Sequence, residues 1–121
     1  MDDLVQWLRA QLDEDERIAR AADGELSAVF TRVASFDPEM AADERHIMAH
    51  GPVRVLRDID VQRQLLALHA PGETGYVDGT VCMVCEDADV ADEGPFYPCK
   101  TLRLLALRYA DRSGYREEWR P

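Results

Sequence analysis

The chain has three cysteines, and all three fall where a metal could use them. Cys82 and Cys85 form a C-x2-C pair, the spacing that lets two thiolates grip one tetrahedral ion from a tight turn. Cys99 follows after 13 intervening residues, just before a stretch that reads as a helix. A helix start favours a thiolate through its free N–H groups and its dipole. A fourth ligand is needed, and His69 supplies it, 12 intervening residues before Cys82 and at the end of another expected helix. The expected site is therefore H-x12-C-x2-C-x13-C, a closed set of three cysteines and one histidine of the structural zinc type. Two bland readings compete: three reduced buried cysteines, or a C-x2-C redox pair leaving one thiol over. The redox reading lacks the strand and helix of a βαβ unit around the pair. For His69 the alternative is a helix-terminal histidine near the C-terminal dipole.

A second pair, His46 and His50, is spaced by four residues. On a helix both would share one face. On a strand they would lie roughly 13 Å apart, too far for one metal. No H-E-x-x-H glutamate accompanies them, and His50 is also placed to cap the helix that follows. No phosphate-cradling glycine loop, G-x-S-x-G or kinase motif is present.

These residues need elements to position them. Residues 2–22 read as a helix, with Leu4, Trp7, Leu8, Leu12, Ile18 and Ala19 at spacings of three and four. Asp2 and Asp3 suit its cap and first turn, and Gly24 is expected to end it. The acidic run 13–16 reads as a solvated face beside Arg17 and Arg20. Residues 26–36 are β-prone and read as a strand, followed by an Asp37-Pro38 turn. Residues 40–43 fit either a turn of helix or a loop, and Arg45–His50 is expected to form a second short strand. Gly51-Pro52 opens a second long helix reaching His69, with Val55, Leu56, Ile59, Leu66 and His69 on one face. Pro71-Gly72 stops it. Residues 72–98 are rich in acids and breakers and show no helical period. So long a loop needs something to hold it, which the metal would do. A third helix spans about 100–110, with Leu102, Leu105, Ala106 and Tyr109 inward. Tyr115 and Trp119 are expected to fold back as aromatic anchors.

The fold class that follows is α+β: two long helices, a short antiparallel sheet, and a treble-clef-like zinc element leading into a third helix. The 121 residues are expected to form a single domain, with a helical and strand body at 1–70 and a zinc-binding element at 69–121. Apolar content of 46% and charged content of 31% are those of a globular chain. No run reaches the roughly 18 apolar residues of a membrane span, and Met1-Asp2-Asp3 lacks a basic signal region. A net charge of −10 argues against a general binder of nucleic acid or anionic membrane. The basic residues are 13 arginines and Lys100, and residues 100–121 hold six of them against three acids. That tail is read as lying against the acidic body in preference to a polyanion.

Three stretches resemble a family. They are Asp3-Leu4-Val5-x-Trp7-Leu8 with Leu12–Glu16, then His46-Ile47-x-x-His50-x-Pro52-x-Arg54-Val55-Leu56-Arg57, and the end from Tyr97-Pro98-Cys99 to Trp119-Arg120-Pro121. The chain resembles small actinobacterial and actinobacteriophage proteins grouped under a domain of unknown function. The resemblance implies a cytoplasmic setting and no particular activity. Gly51 stands where the family pattern leads one to expect Asp before the proline, which leaves His50 as the candidate cap.

Function is then expected to be that of a structural-zinc interaction or regulatory module in the cytoplasm, with a protein partner or self-association through Trp7, Leu8 and Leu12. One alternative is a nucleic-acid-linked protein, binding through Arg103, Arg108, Arg112, Arg116 and Arg120 or acting as an acidic mimic. A second is a metalloenzyme using His46, His50 and Glu44, although no catalytic residue is assigned.

Overall fold

A computed structural model describes residues 3–32, 41–73, 75, 79–85 and 96–121; side chains 26–32 lie outside that description. These residues form helices α1 (Asp3–Arg32), α2 (Ala42–Ala49), α3 (Pro52–Leu68) and α4 (Lys100–Leu107). They also form a two-stranded antiparallel sheet, β1 (Pro71–Gly72) with β2 (Val81–Cys82), and a short 3-10 turn at Glu117–Trp119. The α+β class is as expected. No helix among the described residues is long and apolar enough to cross a membrane.

The described chain divides into two compact units, Leu12–Val61 and Met1–Gln11 with Gln62–Pro121. In the first, Leu12, Ala19 and Ile59 are buried. Glu14 pairs with Arg17 at 2.6 Å and Glu16 with Arg20 at 2.9 Å, so those residues of the acidic run do lie on a solvated helix face. The second unit buries Leu4, Val5, Leu8, Leu66, Val81, Leu102, Ala106, Tyr109 and Trp119. Burying one such large apolar side chain is worth about 1.5–3 kcal/mol.

Two expectations in the first half are corrected. Helix α1 does not stop at Gly24 but runs on to Arg32, so residues 26–32 are helical and not a strand. A glycine inside a helix costs only about 1 kcal/mol, and extending an existing helix needs no new nucleus. Residues 33–36 of the expected strand and the Asp37-Pro38 turn lie outside the described residues. Arg45–His50 is likewise not a strand, since α2 covers 42–49. Asp43 and Glu44 sit in its first turn, where carboxylates favour the N-terminal dipole.

The sheet therefore sits in the second half, beside the cysteines. Its register sets Pro71 opposite Cys82 and Gly72 opposite Val81, and Val81 also bridges to Phe96. Helix α3 starts at Pro52 as expected, proline being suited to a position whose N–H would be orphaned. It ends one residue before His69.

Tyr115 and Trp119 do return as anchors. The Trp7 ring lies 5.7 Å from the Tyr115 ring and 5.4 Å from the Trp119 ring, centre to centre. Several tail arginines are held inside the same unit. Arg116 pairs with Asp3 at 3.1 Å, Arg120 with Glu117 at 2.9 Å, and the Arg112 guanidinium lies 4.5 Å from the Tyr109 ring centre.

Candidate metal centre

Each of the four candidate ligands is delivered by a different piece of backbone. His69 follows α3 and continues its ladder, its N–H donating to the Leu65 carbonyl at 3.0 Å. Cys82 ends β2. The chain then turns sharply, the Cys85 N–H donating to the Cys82 carbonyl at 3.2 Å, which brings the second thiol back beside the first. The Met83 N–H donates to the Ala70 carbonyl at 3.0 Å and ties this turn to the residue after His69. Gly72 suits this arrangement, because a side chain there would run into the Met83 thioether. Cys99 stands at the N-cap of α4, with its carbonyl accepting the Arg103 N–H at 3.1 Å.

These pieces converge. The ligand atoms of His69, Cys82, Cys85 and Cys99 all lie within 4.8 Å of one another. His69 Nδ1 is 3.3 Å from Cys82 Sγ, 3.5 Å from Cys99 Sγ and 3.7 Å from Cys85 Sγ. Bond lengths of about 2.3 Å to sulfur and 2.0–2.1 Å to nitrogen make the N···S edge of a zinc tetrahedron roughly 3.6 Å. The three separations bracket that edge. The cluster could thus hold a metal ion, and its cysteines form no disulfide.

The surroundings are those of a closed site. Cys82 is 0% exposed, Cys99 4% and His69 7%, and Cys85 is half-buried. Burial is the main reason the Cys85 thiol is pushed up to about 12, with Cys82 and Cys99 adding to the effect. Burial also raises Cys99, although the Leu102 amide at the start of α4 pulls the other way. With their values raised, Cys85 and Cys99 hold their protons unless a cation compensates the charge.

All four residues proposed from spacing are brought together. His46 and His50 lie elsewhere, on and just after α2, with ring centres 4.6 Å apart. Sequence reasoning did not single out Gln62. It is 5% exposed, and its Oε1 has no hydrogen-bond partner among the described residues. Its place on the Ile59–Leu66–His69 face of α3 is the one signal available, and an amide there reads as polar.

A family model described as a family of unknown function (DUF6221) matches residues 1–121. No curated protein and no solved structure matches the chain.

Proposed function

The chain belongs to the DUF6221 family, whose function is unknown, and we propose that it is a zinc-stabilised interaction or regulatory module. His69, Cys82, Cys85 and Cys99 would be the zinc ligands. The observation that carries this reading is the set of three Nδ1···Sγ separations, 3.3–3.7 Å, around the edge length zinc requires. A soft, three-thiolate set suits zinc better than a hard cation. With four protein ligands no position stays open for substrate, so the ion's work is structural. It would fasten the end of α3, the β2 turn and the start of α4 to one another, within a chain we take to be a single domain.

Reduced thiols of this kind persist in a reducing compartment, which supports the cytoplasm. The interaction role falls to exposed apolar side chains beside the site, Leu68, Met83, Val84 and Phe96. It does not fall to Leu8 and Leu12, which are fully buried. Self-association through this patch is read by light scattering, and a strict monomer would leave a different protein as the partner.

The deciding experiment is metal content per chain by elemental mass spectrometry. The protein is purified without chelator or histidine tag, beside a Cys82→Ser control. One zinc per chain, lost in the control, is expected. Iron in its place, or no metal, would overturn the reading.

A further inference from the structure

Two imidazoles outside the thiol cluster are also poised together. His46 lies within α2 and His50 caps its end. Because residues 42–49 are helical, the two side chains share a face, with ring centres 4.6 Å apart and planes inclined by 45°. A divalent ion about 2.1 Å from one nitrogen of each ring would hold the ring centres roughly 4.5–5 Å apart. The observed ring-centre separation is one that a two-imidazole chelate allows.

The setting differs from that of the thiols. His46 and His50 are both exposed, so both rings can be reached from solvent. Among the described residues no third histidine, cysteine, aspartate or glutamate joins them. Both rings line a pocket of about 340 Å³ within the Leu12–Val61 unit, walled by Ile18, Ala19, Ile47, Pro52 and Val55. Ile18 and Ile47 are 51% and 56% exposed.

We propose that His46 and His50 form a second metal site, an open two-imidazole chelate for a borderline divalent cation such as Ni²⁺ or Cu²⁺. Imidazole suits these ions, and affinity rises from Ni²⁺ to Cu²⁺. Two protein ligands leave the remaining positions to water or to an incoming donor, beside an apolar wall. The thiol cluster would enclose an ion, whereas this pair would present one. The inference does not rest on the zinc reading, because no residue is shared.

The test is calorimetric titration of the full chain, untagged and loaded with Zn²⁺, with Ni²⁺ as the probe. Elemental analysis follows zinc throughout. One Ni²⁺ per chain is expected. Its affinity should fall at least tenfold in His46→Ala and in His50→Ala, while both variants keep the zinc content and melting temperature of the parent. Absence of Ni²⁺ binding, or binding equally strong in both variants, would overturn the proposal. Nickel that merely replaces zinc among the thiols gives that second result.

Discussion

The indole N–H of Trp7 donates to the carbonyl of Ser113 at 3.1 Å, joining positions 106 residues apart. Gly114, the next residue, makes the contact feasible. Its φ of +89° belongs to the left-handed region that favours glycine, and a Cβ there would stand 2.7 Å from Trp7 Nε1. Gly114→Ala should therefore cost about 1–3 kcal/mol through backbone strain and displacement of the indole. Thermal melting and tryptophan emission would read it, and an unchanged melt with unchanged emission would contradict the argument.

Loss of one buried metal ligand should be felt far more widely. Cys99→Ser removes a proposed zinc ligand from the N-cap of α4. Structural zinc sites in small peptides contribute on the order of 10 kcal/mol, more than the whole stability of many domains. The variant is expected to lose its zinc and the cooperative melt of the unit holding residues 62–121. A Cys99→Ser protein with the parent's melting curve would refute this.

A change of ligand type should be tolerated where a loss is not. His69→Cys offers a fourth thiolate, and a four-cysteine set is as acceptable to zinc as three cysteines and a histidine. The variant is expected to retain one zinc per chain, whereas His69→Ala loses it. Cobalt substitution would report the swap as a shift of the ligand-field bands.

Proton release offers a test free of mutation. Cys85 is pushed up to about 12 and Cys99 is raised as well, both chiefly by burial, so at pH 7 the metal-free protein holds both protons. Zinc binding must displace them, and at least two protons per ion should appear in lightly buffered solution. The zinc-loaded form should weaken in acid, where protons compete for its thiolates.

Much of the site was legible because ligand spacing is a local property. C-x2-C dictates a tight turn, and Cys99 precedes a clear apolar helix stripe, so both thiol positions could be placed without knowing the fold. Pro52 marked the start of α3 for the same local reason. The first half was less legible. Val29, Phe30 and Thr31 favour strands only when a sheet is there to pack on, and here they continue α1. His46 and His50 looked extended because α2 is short and has no buried residue, so no apolar stripe announces it. Its helical state turns a separation too wide for any ion into one of chelating size.

The unit that carries the thiol cluster is also discontinuous, since it draws on Met1–Gln11 as well as Gln62–Pro121. On a ribosome Trp7 emerges first and must wait for about a hundred more residues before Ser113 exists to accept its hydrogen bond. Synthesis runs at about 5–20 residues per second, so the indole and its flanking leucines stay unsatisfied for several seconds. Over that interval the nascent chain depends on whatever shields exposed apolar side chains, and this unit can close only once the last of its segments has been made.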